Sequence, residues 1–537
     1  MVLFYFLVLG RLFYWQVVKG PVLKEKALSQ TYKLQKKLPQ RGQIFTSDGY
    51  PLVLNQKKYQ LSIYKPNLEE DITPTISKIE QIKPDFSDVD KNTINFLLSN
   101  ENQKWQTFST LFDKSDMESL AKPGLVFEEI NKRFYPENSL ANNILGIVGK
   151  NSLGNDIGYG GLEGYYNKQL KGKTGFSWIT KDATGKTILT KKSWRSEDYN
   201  GLDLHTSIDR RIQYHIEKVL NRGIEEFSAD SGSVTVMESS TGSILGMASL
   251  VATDSATPSA LKNPAISDLF EPGSIFKPLV VAMALDSDSI GKNFICTICD
   301  RPRVIGEYTI NNWNFETHPD SSLFDIIKNS DNIGMSSIIA KLGKDKFLGY
   351  YKKLGLDQKT GIDLQGEAKA PLKQYWPEID LATASFGQGI SVTQINMLQA
   401  FNSIANDGRL VKPRVVTKID DNGKLTSPHP PDTADVFTQE TMVTLKEILK
   451  YSVENSAVDR FRPENLEVCA KSGTAQVAVK GSYTDSSTIA SYIGFSPCIN
   501  PKFTMIVTIN NPKSSPWGSS TAAPIWFELA SILNNLL

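Results

Sequence analysis

Three short stretches of this chain carry residues that can do acyl-transfer chemistry. The first is Glu271-Pro272-Gly273-Ser274-Ile275-Phe276-Lys277-Pro278. A Pro-Gly pair turns the backbone, and Ser274 then enters a helical-looking run, Phe276 to Leu285. Lys277 follows Ser274 by three residues, so on a helix the two side chains share a face. A helix start adds unpaired N–H groups and a positive dipole end. That combination suits an activated serine and a developing oxyanion. Ser-x-x-Lys alone is weak, because a helix start with a surface lysine has the same letters. Two further stretches change the weighing: Ser330-Asp331-Asn332 and Lys471-Ser472-Gly473-Thr474, in that order. Each also has a bland reading, the first as a turn or N-cap and the second as a hairpin edge.

The elements around these stretches suggest how they are held. Thr206-Ser207-Ile208-Asp209 caps a helix with apolar residues at 208, 212, 216, 219 and 220. Ser233 to Met237 and Ser243 to Ala248 read as a hairpin about Ser240-Thr241-Gly242. Helical patterns run through 321–354 and 391–406. Strand-like runs return at Val468 to Ala475, Ile489 to Phe495 and Phe503 to Ile509, before a last amphipathic helix from Pro524 to Leu537. Strands at both ends with helices between predict an α+β domain over 201–537, an antiparallel sheet packed against helices.

Length and composition set the frame. The chain has 537 residues, is 40% apolar and 22% charged, and carries a net charge of +1. Two or three globular domains are expected, and no basic run points to nucleic acid. The four cysteines are Cys296, Cys299, Cys469 and Cys498. Cys296-Thr-Ile-Cys299 has the spacing of half a zinc ribbon or of a redox pair. No second pair completes a metal site, so the reading is structural cysteines or a local disulfide, with no metal and no cofactor. The histidines, at 205, 215, 318 and 429, are scattered, and none is an obvious general base.

Residues 1–18 are strongly apolar but interrupted by Arg11. A spanning helix needs ~20 apolar residues. The stretch reads as the outer part of a membrane anchor whose beginning is missing, with Arg11, Tyr14 and Trp15 at the interface. Residues 19–200 are polar and mixed, with a strand entering the Asp48-Gly49 turn and a glycine-dense run from Gly158 to Asn167. They read as a structural spacer of mixed α/β type.

With all three motifs in order, the chain resembles a class B penicillin-binding protein of the division-type transpeptidases, over nearly its whole length. The resemblance also rests on Arg41-Gly42 with Asp48-Gly49, Arg133 to Pro136, and Gly160-Gly161-Leu162-Glu163-Gly164. Further on it rests on Ala384-Ser385-Phe386-Gly387-Gln388-Gly389, Lys471 to Gln476, Tyr492 to Phe495 and Asn511-Pro512. It implies the serine β-lactamase/penicillin-binding transpeptidase fold at 201–537, a pedestal of the dimerisation type at 19–200, with Arg41 and Glu163 in its core, and a single-pass anchor that leaves the catalytic domain outside the cytoplasm. It implies a D,D-transpeptidase that cross-links peptidoglycan stem peptides and is inhibited covalently by β-lactams. Ser274 would be the nucleophile and Lys277 its base. Ser330 would relay a proton to the leaving amine, and Asn332 would hold the substrate amide. Lys471 completes the catalytic set. Ser472, Gly473 and Thr474 would bind the terminal carboxylate along a strand edge, and the backbone N–H groups of Ser274 and Thr474 would form the oxyanion hole. Implied partners are stem peptides, β-lactam antibiotics, the membrane, a membrane glycosyltransferase and proteins of the division or elongation complex.

Three departures stand out. The expected tail and half of the anchor are missing, Asp331 occupies the middle of Ser-x-Asn as in class A β-lactamases, and Cys296 and Cys299 are not a catalytic feature of the family. A class A-like β-lactamase would need a glutamate for deacylation, and the nearest form is Glu378-Ile379-Asp380-Leu381. A non-catalytic β-lactam sensor or divisome scaffold is the remaining alternative, although every motif residue is intact. Trp313 and Asn314 would either line the cleft or pack, and Gly387-Gln388-Gly389 reads as a turn near the site.

Overall fold

The computed structural model describes residues 2–37, 39–68, 73–84, 88–100, 102–181, 187–188, 199–252, 262–428, 433–479 and 482–537. The chain divides into two compact units that interleave along the sequence. The first comprises Met1–Gln43, Val53–Phe134 and Lys168–Leu202. In it, the long strand Pro51–Tyr64 pairs antiparallel with Trp105–Phe112 on one side and Leu125–Phe134 on the other. Leu61 and Ile63, two apart and so on one face of the strand, pack with Phe108 and Phe112 beneath Ile79, Ile94 and Leu97 of two short helices. The Arg133 guanidinium donates to Asn55 Oδ1 at 2.8 Å and to Gly42 O at 2.5 Å. Those bonds give the Arg41-Gly42 and Arg133 stretches a structural role.

At the N-terminus, helical residues Val2–Val18 are followed by a second helix, Gly20–Thr31. No single helix among the described residues is long and apolar enough to cross a membrane. Val2–Val18 and Gly20–Lys26, bent by 55°, pass that test only together.

The second unit comprises Ile44–Leu52, Tyr135–Asn167 and Asp203–Leu537. Its centre is a five-stranded antiparallel sheet. The strands are β1 (Ser231–Glu238), β2 (Ile244–Val251), β3 (Cys469–Val479), β4 (Ser482–Ser496) and β5 (Phe503–Asn510). They lie in the order β2-β1-β5-β4-β3, so the strand with the Lys471 stretch is at one edge. The sequence reading found each strand of this sheet but began β4 late, at Ile489, and ended β3 early, at Ala475. The helices that matter to the site are α1 (Arg210–Glu226), α2 (Lys277–Asp286), α3 (Leu323–Lys328), α4 (Asn332–Leu342), α5 (Gln394–Ala405), α6 (Gln439–Glu454) and α7 (Ala522–Leu536).

Helix α1 starts where the sequence places it. The Asp209 carboxylate accepts from the backbone N–H groups of Arg211 and Ile212, removing two of the unpaired donors of the first turn. Its apolar stripe, Ile212, Ile216, Val219 and Leu220, packs with Trp526, Phe527 and Leu529 of α7 and with the sheet. Helix α5 is buried along its whole length although it carries Gln394, Asn396, Gln399 and Asn402. Each amide is satisfied: Gln394 Nε2 donates to Ser233 O, and Asn402 Nδ2 donates to Ser239 O at 2.9 Å. A buried amide left unpaired would cost about 1–3 kcal/mol, so these bonds fix how the helix sits on β1. The result is the α+β arrangement of an antiparallel sheet packed against helices.

Both cysteine pairs are disulfides, Cys296–Cys299 and Cys469–Cys498. The first fits the local-disulfide reading of Cys-x-x-Cys, with the two sulfurs bonded to each other. The second ties the start of β3 to the residues just past β4, where Cys469 faces Phe495 in register. The sequence reading did not pair these two, because nothing in a spacing of 29 residues announces neighbouring strand ends.

Candidate active site

Ser274 lies in a tight 3-10 turn, Gly273–Phe276, and α2 begins only at Lys277. The sequence reading put both residues near the start of one helix. The outcome for their side chains is the same, since residues three apart eclipse in a three-residue turn. Pro278 costs α2 nothing, because first-turn N–H groups have no partner in the helix. Every residue of α2 from Lys277 to Ala284 is buried, which anchors the turn from below.

The turn is held from behind by Gly387. Gly273 N donates to Gly387 O at 3.1 Å, and Gly389 N donates to Glu271 Oε1 at 3.0 Å. A Cβ on Gly387 would stand 2.1 Å from Gly273 O, and the residue has φ of +80°. No side chain fits there, and an L-residue would be strained. On the other side, Gly518 N donates to Thr474 Oγ1 at 3.1 Å, and a Cβ on Gly518 would stand 2.2 Å from Gly473 O.

Asp331 is the N-cap of α4, its Oδ1 accepting from Gly334 N at 2.7 Å. Capping is the bland reading of Ser-Asp-Asn, and it is true of Asp331. Its two neighbours do something else. Ser330 has φ of +54°, an uncommon backbone state for a serine, and its Oγ lies 2.9 Å from Ser274 Oγ. Lys277 Nζ lies 2.6 Å from Ser330 O, 3.0 Å from Ser330 Oγ and 2.8 Å from Asn332 Oδ1. Asn332 Nδ2 donates to Asn311 O at 3.0 Å, and Asn312 Oδ1 accepts from Asn332 N at 2.7 Å. Ser330 Oγ therefore bridges serine and lysine.

Lys277 is fully buried. Burial, followed by the like charge of Lys471, holds its ammonium well below the ordinary value, against the opposing pull of Asp331. Burial alone brings Lys471 down to about 8. Lys471 Nζ donates to Ser472 O at 2.9 Å.

Ser274, Ser330, Asn332, Lys471, Ser472, Gly473 and Thr474 all line one cleft of about 750 Å³, with Lys277 beneath it. Trp313, Asn314 and Gln388 line it as well. Of the two readings of Trp313, the structure thus selects the cleft wall.

The sequence reading missed His318, which also lines the cleft and sets its Nδ1 2.9 Å from Asp331 Oδ2. The pair is brought together by the fold alone: His318 is on a loop closed by His318 N donating to Cys299 O at 3.0 Å. Of the other histidines, His205 stacks on Phe45, and His429 lies outside the described residues. Glu378, the nearest form of a deacylating glutamate, is exposed and pairs with Arg303 at 3.1 Å.

Residues 232–531 match the family model described as the penicillin binding protein transpeptidase domain, which is more than half of the chain. The chain belongs to the penicillin-binding protein transpeptidase family. Residues 36–206 match the penicillin-binding protein dimerisation domain. Among curated proteins, stage V sporulation protein D of Bacillus subtilis is 29% identical over 96% of this chain and 81% of its own length. The peptidoglycan D,D-transpeptidase FtsI of Escherichia coli is 28% identical over 76% of this chain and 68% of its own. The fold of this penicillin-binding protein is shared with penicillin-binding protein 2X from Streptococcus thermophilus, at a TM-score of 0.75 and 22% identity over 94% of this chain and 81% of that one. It is also shared with penicillin-binding protein 3 from Mycobacterium tuberculosis complexed with aztreonam, at a TM-score of 0.71 and 20% identity over 94% and 97%.

Proposed function

We propose that this chain is a peptidoglycan D,D-transpeptidase that cross-links stem peptides through an acyl-enzyme on Ser274 and is acylated irreversibly by β-lactams at the same atom. The observation that carries the reading is the set of partners around Lys277. A neutral amine has two N–H bonds and one lone pair. Ser330 O and Asn332 Oδ1 only accept, so they take the two N–H bonds. The lone pair is left for Ser330 Oγ, whose hydroxyl donates to Ser274 Oγ at rest and turns to Nζ as the relay begins. The depressed Lys277 ammonium fits that neutral state.

The steps follow. The Ser274 proton passes to Ser330 Oγ as the Ser330 proton passes to Lys277 Nζ. Ser274 Oγ attacks the D-Ala-D-Ala carbonyl. The backbone N–H groups of Ser274 and Thr474 hold the oxyanion, each such donor being worth ~3–4 kcal/mol. The relay then runs backwards and protonates the leaving D-Ala amine. Ser472, Gly473 and Thr474 hold the substrate carboxylate at the edge of the sheet, where an extended peptide adds like a strand. The hydroxyl of Thr474 already accepts from Gly518 N, so its own proton is free to face that carboxylate. Lys471 supplies positive potential there and keeps Lys277 deprotonated. Asn332 fixes the lysine and offers its second N–H to the substrate amide.

The two disulfides and the apolar first helix support a single-pass membrane protein with residues 20–537 outside the cytoplasm, where disulfides persist. Residues 19–200 serve as the pedestal and 201–537 as the catalytic domain. Glycan polymerisation falls to a separate membrane glycosyltransferase, met through the anchor and pedestal within a division or elongation complex.

The test is covalent. A fluorescent penicillin should add once to the purified chain, with a stable adduct on the Ser274 peptide by mass spectrometry. Labelling that survives Ser274→Ala would defeat the assignment, and fast turnover of the adduct would make the chain a β-lactamase.

A further inference from the structure

We infer that Glu316, Trp313 and Trp517 form the subsite that receives the acceptor stem as its ammonium. The inference rests on the transpeptidase reading above and names the second substrate of the same site.

Two indoles are exposed in the cleft, Trp313 at 56% and Trp517 at 41%, with ring centroids 5.0 Å apart in an edge-to-face pair. Side chains of that size are usually buried, and neither has a core to enter here. Each sits beside a motif residue. Trp517 precedes Gly518, whose N–H binds the Thr474 hydroxyl. Trp313 follows Asn312, whose Oδ1 accepts from Asn332 N. The indoles thus close the cleft from its Asn332 side to its Thr474 side.

Charge decides what they receive. Lys328 and Lys471 line the cleft as cations, whereas Glu316 is the acidic residue among the described lining residues. Its loop is fixed in place. Asn314 Nδ2 donates to Glu316 Oε2 at 2.6 Å, Glu316 N donates to Asn314 Oδ1 at 3.2 Å, and Asn312 Nδ2 donates to Glu316 O at 2.8 Å. A carboxylate in the same cleft as two exposed indoles attracts an alkylammonium, through the ion pair and through the ring quadrupoles. Lys471 attracts carboxylate, whereas Lys328 is already paired with Asp325 at 3.4 Å. A donor stem ends in a carboxylate, and the acceptor stem brings an amine that is protonated in water, near pKa 10.4 for a lysine-type group. The cleft thus offers charges of opposite sign to the two stems.

The chemistry balances. The bound ammonium yields one proton to solvent as it leaves Glu316. Its nitrogen forms the C–N bond to the acyl carbon while the ester bond from that carbon to Ser274 Oγ breaks. A second proton from the nitrogen returns to Ser274 Oγ through Ser330, giving amide and free enzyme.

The experiment separates the two half-reactions on the full chain. A depsipeptide donor acylates Ser274, and the acyl-enzyme partitions between water and a stem tripeptide with a free side-chain amine. Glu316→Gln and Trp313→Ala should each raise the half-saturating acceptor concentration about two- to fivefold. The loss should be confined to the acceptor, with the rate of acylation by penicillin unchanged from native. Unchanged acceptor saturation in both variants overturns the inference. So does an equal loss in donor acylation, which would place the subsite on the donor side. Failure of the native chain to acylate at all would be the failure of the transpeptidase reading, seen before any acceptor is added.

Discussion

Replacing Lys471 by methionine should make the protein more stable at neutral pH while disabling it. The ordinary ammonium value is 10.5, and burial brings this one to about 8. A shift of that size corresponds to about 3 kcal/mol. The unfolded chain keeps its proton up to 10.5, whereas the folded chain releases it near 8. Between those values the unfolded state binds more protons, so native stability rises with pH through the window. Below pH 8 the cost of the buried charge is felt in full, and above 10.5 it is gone. Methionine has a similar shape and no charge, but it forfeits the bond to Ser472 O at 2.9 Å, worth about 1 kcal/mol. Lys471→Met should therefore gain about 2 kcal/mol at pH 7. Urea unfolding of native and variant protein at pH 7 and at pH 10 measures the difference, and penicillin acylation of the same samples measures the loss of function. The gain should shrink towards zero at the higher pH. A variant no more stable than native at pH 7, or a gain that ignores pH, would refute the argument that desolvation dominates this lysine.

Lys277→Arg should lower the acylation rate by about 10²–10⁴, because arginine keeps its proton where the neutral lysine accepts one. A Lys277→Met companion, which also lacks a base but carries no charge, should acylate as poorly while melting no lower; acylation near the native rate in either shows that Lys277 is not the base. In native protein, acylation should rise with pH through a value well below the ordinary lysine range as the neutral amine fills, and fall again as Lys471 loses its charge near 8; a rate with no rise on the acid side contradicts the relay. Gly387→Ala should slow acylation by tenfold or more with little change in helix content, since the new methyl overlaps Gly273 O and displaces the Ser274 turn; native-rate acylation would show that the turn tolerates the shift.

The parts of the site that were legible in the sequence are those encoded locally. Pro272-Gly273 before an apolar run announces a turn into a buried helix. Asp209 before the periodic stripe of α1 announces a cap, and Ser-Asp-Asn announces a helix start. What stayed hidden was made by long-range packing. His318 and Asp331 meet because the loop closed by the bond from His318 N to Cys299 O folds back on α4, and no spacing rule contains that contact. The bridge through Ser330 was equally invisible, since it depends on a positive φ at one serine. Cys469 and Cys498 pair because two strands end side by side. Trp313 was ambiguous for a related reason: an aromatic in a loop packs inward or lines a wall according to where its loop is tied.

The backbone contacts at Gly387 and Gly518 limit how this enzyme can evolve under an antibiotic. Two walls of the cleft are main chain laid directly on main chain, Gly387 on Gly273 and Gly518 on Gly473. No substitution there can add bulk against a drug without moving the serine or the strand that substrate and drug both need. Ser274, Lys277, Ser330 and Lys471 are equally shared by the two. Resistance arising by point mutation is therefore channelled to the rim, to Gln388 and its neighbours, where side chains reach the cleft but do not hold it together. An inhibitor that spends its contacts on Gly273 and Gly473, the glycines that line the cleft, and leaves the rim untouched gives the protein the fewest ways out.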